Sequence, residues 1–247
     1  MSTLKIDNPA KRLLDILNAV KEISSTTTGR TAWRKIIKAP NINESLLNTR
    51  LGKIMGLPER IIQTLNDHFP EYNSLSTHWL EKTESAFYNH SLGGIWSNFI
   101  SHIDDQTISE LTLLSMVFET RGSHDVISED EVERLITKVN DLRNDIRSSD
   151  LSTNLKNMLL RQLAQLYEAL ETYSVLGIEP LMDAVQSTVG LAVINEEYRN
   201  EISTEATNEF GERISSVLGE IANVITVVGA LPALPVVIQT ALNFFSK

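Results

Sequence analysis

The chain has 247 residues, of which 42% are apolar and 22% are charged, and this ordinary globular composition excludes collagen-like and disordered chains. It contains no cysteine, which excludes disulfide bonds, thiolate zinc sites and cysteine nucleophiles. The net charge is −10 and unevenly spread: residues 1–60 are basic, and the remainder holds 11 Lys and Arg against 27 Asp and Glu. This overall acidity disfavours nucleic acid as a partner.

The first residues, MSTLKIDNPAKRLLDIL, carry charges where a signal peptide needs an uninterrupted apolar run. We therefore expect a protein that is not secreted, and the absence of cysteine fits a reducing, cytoplasmic compartment. Asn8 followed by Pro9 is a typical helix start, and aliphatic residues at helical spacing predict a helix to about residue 23.

Helical signals continue along the chain, and strand signals are nearly absent. TAWRKII predicts a short helix with Trp33 facing inward. Residues 44–68 predict two short helices that meet at Gly56, with Pro58 starting the second. The segments HWLEKTESAFYNH and IWSNFISHI hold most of the aromatic residues, which we expect to pack in a core, and a further helix is predicted over 105–120.

RGSHDVISED interrupts the helical pattern and predicts a boundary between an N-terminal helical subdomain, residues 1–124, and a C-terminal one, residues 125–247. Ser128 and Glu131 then form the capping-box pattern S-x-x-E. The apolar spacing over 129–176 predicts a long antiparallel hairpin of two helices. For the whole chain we predict an all-α fold, a multi-helix bundle of roughly ten helices.

The most apolar stretch, IANVITVVGALPALPVVIQTALNFF at residues 221–245, is long enough to span a membrane only as one continuous helix. Pro232 and Pro235 divide it into two legs, each reaching only ~15 Å of the roughly 30 Å that a span requires. The sequence therefore predicts an apolar helix-turn-helix hairpin over 206–246. Contact with a membrane is expected only after a conformational change.

Two parallel stripes run along the first leg of this hairpin. Large apolar residues recur from position 214 to 228 at spacings of four and three, and small residues repeat that spacing one position later. A stripe of large side chains fills a core, while a stripe of small side chains lets another helix approach closely. The partner-interface candidates are the small stripe and the two turn prolines: Ser215, Gly219, Ala222, Thr226, Gly229, Pro232 and Pro235.

Residues 44–68 also have the outline of a DNA-binding helix-turn-helix, with Arg50, Lys53 and Arg60 near the turn. The second helix offers few base-reading side chains, and its Glu59 would repel phosphates. A helical hairpin inside the bundle gives the same pattern and is the favoured interpretation. The basic segment as a whole either faces solvent, contacts the acidic remainder or contacts an anionic partner.

We find no sequence motif for catalysis or for cofactor binding, so the sequence predicts neither an enzyme nor a bound cofactor. The nearest approach to a metal site is the SHIDD junction, where His102 and Asp104 place an imidazole near a carboxylate. The aspartates of this junction stand where a helix begins. Capping of free N–H groups is therefore the competing and favoured explanation.

Six segments carry a resemblance to other proteins: NPAKRLLDIL, TAWRKI, RLGKIMGLPERI, the SHIDD junction, VQSTVGLAVINEEYR and ANVITVVGALPALP. They resemble a loose group of uncharacterised all-helical bacterial proteins from accessory or mobile gene islands, where anti-phage systems are common. The resemblance extends along the whole chain and carries no catalytic motif. It implies a bacterial cytosolic protein in a defence or toxin–antitoxin setting.

The leading hypothesis is a non-enzymatic protein–protein interaction module, a sensor, adaptor or regulator. Its partner would be another protein or a second copy of the chain. Its contact surface is expected on the C-terminal hairpin or on the basic N-terminal segment. Two alternatives stay open: a membrane-disrupting effector that acts through the apolar C-terminal hairpin, and DNA binding through residues 44–68.

Overall fold

The computed structural model describes residues 8–38, 40–72, 76–120, 127–202 and 207–227, and these residues are mostly helical. Within these ranges the extended structure is limited to an isolated antiparallel bridge between Thr28 and Ile95. The all-α fold class predicted from helical spacing is confirmed.

The chain forms two compact units. Among the described residues, the N-terminal unit holds those of 8–120 and 174–176, and the C-terminal unit holds those of 127–173 and 177–227. The boundary that the sequence suggests between residues 124 and 125 stays a prediction, since residues 121–126 lie outside the described ranges.

Seven α-helices and one short 3₁₀-helix make up the described part of the N-terminal unit. In chain order they are α1 (Pro9–Lys21), α2 (Gly29–Ile36), α3 (Glu44–Met55), α4 (Leu57–His68), the 3₁₀-helix (Pro70–Tyr72), α5 (His78–Tyr88), α6 (Ser97–Ile100) and α7 (Asp105–Glu119).

Local sequence signals set several of these helix ends. The side chain of Asn8 accepts a hydrogen bond from the backbone N–H of Lys11 at 2.9 Å, which confirms the predicted cap of α1. Gly56 ends α3, and Pro58 stands in the first turn of α4. Gly56 has a φ of −80°, an ordinary helical value, so this turn does not use the left-handed conformation that glycine usually supplies.

The core of this unit is built on aromatic side chains that are at most 6% exposed: Trp33, Phe87, Trp96 and Phe99. The ring of Trp33 lies 5.2 Å from the rings of Trp96 and Phe99 in edge-to-face geometry, a favourable arrangement for aromatic pairs. The indole N–H of Trp96 donates to the carbonyl of Val20 at 3.1 Å. The predicted core packing is confirmed for these residues, whereas Tyr88 is 89% exposed.

Backbone hydrogen bonds tie the segment after α5 to the segment before α2. The N–H of Gly29 donates to the carbonyl of Gly94 at 2.9 Å, and the N–H of Trp96 donates to the carbonyl of Thr27 at 2.7 Å. The two backbones approach so closely that a β-carbon on Gly29 would collide with the carbonyl oxygen of Ser91. Glycine is therefore required at position 29 by space.

The described part of the C-terminal unit begins with the long hairpin. Its helices are α8 (Glu129–Ser148) and α9 (Thr153–Glu171), followed by α10 (Tyr173–Leu176), α11 (Glu179–Ile194), α12 (Glu196–Ile202) and α13 (Asn208–Val227); residues 174–176 of α10 belong to the other unit. The side chain of Ser128 accepts from the backbone N–H of Glu131 at 3.3 Å, which confirms the predicted cap of α8. α8 and α9 pack along each other and are joined by residues 149–152, so the predicted hairpin is present.

The contact between α9 and α11 contains one buried amide. Gln162 on α9 is 4% exposed, and its Oε1 accepts a hydrogen bond from the hydroxyl of Ser187 at 3.4 Å. The hydroxyl of Thr188 also lies 3.4 Å from this oxygen, and it donates more closely, at 2.8 Å, to the carbonyl of Ala184. The surrounding core consists mainly of leucine, isoleucine and valine.

The predicted apolar hairpin over 206–246 is described only in its first leg, α13. Gly229, Pro232 and Pro235 lie outside the described residues. Among the helices that are described, none is both long and apolar enough to cross a membrane.

We expect Gly29→Ala to lower the free energy of unfolding by about 1–3 kcal/mol, because the new methyl group must displace the backbone at Ser91. Gly52→Ala is the matched control. Gly52 lies inside α3 with nothing within 4 Å of its β-carbon position, so alanine should stabilise that helix by about 0.5–1 kcal/mol. Urea unfolding followed by circular dichroism measures both changes. Equal effects of the two substitutions would contradict the close approach at Gly29.

Candidate functional site

The large apolar stripe of α13 lies in the core of the C-terminal unit. Ile214, Leu218, Ile221 and Ile225 are each at most 2% exposed. They belong to the cluster that α8, α9, α11 and α12 share, and α13 contacts α8, α11 and α12 directly. The spacing of four and three therefore predicts correctly which side of this helix faces the core.

The small-residue stripe beside it is partly open. Ser215 and Gly219 are half-buried, whereas Ala222 is 3% exposed and is enclosed by its own unit. The side chain of Thr226 and all of Gly229 lie outside the described part of the chain. Of the candidates that the structure describes, Ser215 and Gly219 are thus the accessible ones.

Ion pairs tie α13 to α8 next to this stripe. The two carboxylate oxygens of Glu220 lie 2.6 and 2.7 Å from Nζ of Lys138, and Arg134 donates to one of them at 2.7 Å. A second pair joins Arg213 to Asp145 at 2.6 Å. Burial opposes the charge on Glu220, but hydrogen bonds from Lys138 and Arg134 outweigh it and hold the pKa of Glu220 below its ordinary value.

The imidazole that contacts Asp104 belongs to His78. Nε2 of His78 lies 2.9 and 3.1 Å from the two carboxylate oxygens of Asp104. One of these oxygens also accepts from the backbone N–H of Thr107 at 2.8 Å, so Asp104 is the cap of α7. Glu110 of α7 accepts from the backbone N–H of Trp79 at 3.0 Å, in the first turn of α5. The start of α5 is thus held by two carboxylates of α7, its cap Asp104 and Glu110.

The capping explanation for Asp104 is confirmed. The backbone N–H of Thr107 is the largest influence on this carboxyl group; burial acts against it, and the Thr107 hydroxyl and His78 add to it, so the pKa of Asp104 falls from 3.8 to about 2. His102 is half-buried in the turn before α7. Across the described residues, no group of three or more histidine, aspartate or glutamate side chains is arranged to hold a metal ion.

The nucleic-acid candidates do not form one exposed basic face. Arg50 is 6% exposed, and Lys53 and Arg60 are half-buried. A guanidinium enclosed to this degree is not available to a phosphate on the surface. The α3–α4 pair is therefore better explained as part of the bundle than as a groove-reading motif.

No sequence motif pointed to a cleft at the end of α2. This cleft has a volume of about 400 Å³ and is lined by Thr31, Arg34, Lys35, Lys38 and Pro40. Only the density of cations in the basic N-terminal segment could have drawn attention to it. Nor did any motif point to His78, which lies 26 residues from Asp104, or to the pairing of Lys138 with Glu220 across 82 residues.

Comparison with known proteins assigns no relative: no protein family, no curated protein and no solved structure matches the chain.

We expect Asp104→Ala to lower the free energy of unfolding by about 0.5–2 kcal/mol through loss of the cap. Asp104→Asn should lower the free energy of unfolding by less at neutral pH, because asparagine also caps helices. This substitution still removes the charge that faces His78. The folded-state pKa of about 2 lies below the ordinary 3.8, so the carboxylate stabilises the fold fully above pH 3.8 and loses this effect as the pH falls towards 2.

Urea unfolding at pH 7 and across pH 4 to 2 tests both expectations, and both variants should lose this part of the acid dependence. If the free energies of unfolding of the wild type and Asp104→Asn change with pH in the same way, the ionised carboxylate of Asp104 does not stabilise the fold.

We expect Glu220→Gln to lower the free energy of unfolding by about 1 kcal/mol or less, because the three side chains of this network are 27–45% exposed and water screens them. Hydrogen exchange in α13 should become faster, and about 1 M salt should narrow the difference from the wild type. Glu209→Gln, in the first turn of α13, makes the same charge change at an exposed position and is the control. If hydrogen exchange in α13 is equally fast in Glu220→Gln and Glu209→Gln, the ion pairs of Glu220 do not hold α13 on α8.

Proposed function

We propose that the protein is a non-enzymatic interaction module in which α13 carries the contact surface for a partner protein or a second copy of the chain. The observation that carries this proposal is the division of α13 into a buried large stripe and a half-open small stripe. At Ser215 and Gly219 a second helix could approach closely, because no long side chain stands between the two backbones.

The ion pairs of Glu220 and Arg213 support the proposal, since they fix α13 on α8 before any partner arrives. A surface held in its binding conformation loses less conformational entropy on association than a mobile one. The stripe is therefore presented on an ordered helix rather than formed only on binding.

The sequence beyond α13 gives a second line of support. Residues 228–245 are apolar apart from Gln239, Thr240 and Asn243. An apolar sequence of this length needs cover from water, which another protein surface or a membrane can supply. The resemblance to all-helical proteins of bacterial gene islands supports a sensor, adaptor or regulator of an anti-phage defence or toxin–antitoxin system as the setting.

The same apolar sequence favours one alternative, a membrane-disrupting effector that inserts these residues after a conformational change. DNA binding through α3 and α4 is the weaker alternative, because Arg50 is buried. Release of dye from anionic liposomes by the purified full chain would place the membrane-disrupting function ahead of the interaction module.

We expect Gly219→Leu to abolish the complex, because the new side chain fills the approach between helices. Ser216→Leu adds the same group at an exposed neighbouring position of α13 and should leave the complex intact. Light scattering after size-exclusion chromatography detects self-association, and co-purification from the native host detects a different partner. Unfolding midpoints of both variants establish that they fold. A wild-type chain that stays monomeric and retains no protein would contradict the proposal.

A further inference from the structure

We propose that two copies of the chain associate through α8, in antiparallel orientation, by a self-complementary stripe of charges. The members of the stripe are spaced four and three residues apart and so lie along one side of the helix: Glu129, Glu133, Ile136, Asn140, Arg143 and Arg147. Each of these side chains is exposed or half-buried. The stripe thus begins with two acids and ends with two cations.

The order of its residues makes the stripe complementary to itself. In a two-fold symmetric contact, residue i of one copy meets residue j of the other, and j meets i. In an antiparallel pair of helices centred on residue 138, Glu133 of one copy would face Arg143 of the other. At the ends of the contact, Glu129 would face Arg147. Every acid of the stripe would therefore meet an arginine.

The two arginines have no acidic partner among the described residues, although acids are abundant around them. The guanidinium carbon of Arg143 lies 4.8 Å from the ring centroid of Tyr167, and Arg147 donates to Oδ1 of Asn144 at 3.0 Å. Neither neighbour carries a negative charge. Residues 127–227 hold 8 Lys and Arg against 18 Asp and Glu, so an unpaired cation is unexpected in this unit.

Within a single copy, the stripe places like charges one helical turn apart. Glu129 precedes Glu133 by four residues, and Arg143 precedes Arg147 by four, a spacing at which like charges destabilise a helix. Burial, and after it the positive charge of Arg147, lowers the pKa of Arg143 below its ordinary value. Carboxylates of a second copy would offset the repulsion between the arginines.

The helix dipole accounts only for the two ends of the stripe. Acids in the first turn of a helix and cations in the last turn are favoured by the partial charges there, and this explains Glu129 and Arg147. Glu133 and Arg143 lie inside these turns, where the dipole has little effect. Glu133 also has no cationic partner in the part of the chain that the structure describes. Contact with a second copy would pair both inner residues.

The stripe is separate from the contact surface on α13. The residues of α8 that form ion pairs with α13 are Arg134, Lys138 and Asp145, and none of them belongs to the stripe. Only Ile136 among the stripe residues is aliphatic, so the charge pairs determine the register of the two copies. We therefore expect a weak dimer that salt dissociates.

The test is sedimentation equilibrium of the full chain in about 0.05 M and about 1 M sodium chloride. We expect a dimer at the lower salt concentration and weaker association at the higher one. Glu133→Arg and Arg143→Glu should each weaken dimerisation at least roughly tenfold, because each substitution creates two like-charge contacts per dimer. The double variant Glu133→Arg/Arg143→Glu should dimerise again, because the exchanged charges still face opposite charges.

Asp141→Arg is the matched control, since it makes the same charge change as Glu133→Arg at an exposed position of α8 outside the stripe and should not weaken dimerisation. Gly219→Leu, which targets α13, should leave this dimer intact. Melting followed by circular dichroism establishes that each variant folds.

A wild-type chain that is monomeric at about 1 mM in low salt would overturn the proposal. So would a double variant that dimerises no better than the single variants, or a control that weakens dimerisation as much as Glu133→Arg. A dimer that Gly219→Leu abolishes and Glu133→Arg does not would place the second copy on α13 instead of α8.

Discussion

The burial of one side of α13 against α8, α11 and α12 is the contact on which the C-terminal unit depends. Fully burying an aliphatic side chain is worth about 1.5–3 kcal/mol relative to exposure, and four such side chains lie along this stripe. An exposed ion pair contributes about 1 kcal/mol or less. Apolar packing therefore holds α13 in place, and the pairs of Glu220 and Arg213 set its orientation. The half-open position of Ser215 and Gly219 follows from that orientation.

The N-terminal unit is organised by different chemistry. Its aromatic core around Trp33 fixes α2, and the backbone contact at Gly29 fixes the start of that helix. Because α2 is anchored at its start, its opposite end has a defined position, and there Arg34 and Lys35 converge on one cleft.

Sequence patterns predicted the features that depend on neighbouring residues. The caps at Asn8 and Ser128 act over three positions, and the large stripe of α13 repeats every three or four, so the helix itself determines the geometry. The pairing of His78 with Asp104 depends on how α5 and α7 pack, which no local pattern encodes. Arg50 illustrates the same limit. A cation near a turn suggests a binding surface, but packing encloses this side chain, which no local pattern reveals.

The buried amide of Gln162 bears on the uniqueness of the fold rather than on its strength. An aliphatic core tolerates a shift of one helix along another, because one leucine can replace its neighbour in a contact. Gln162 removes that tolerance, since a shift of α11 by one turn would take Ser187 away and leave a buried oxygen without its donor. Leucine at position 162 could therefore raise the melting temperature while letting α9 and α11 settle in more than one register.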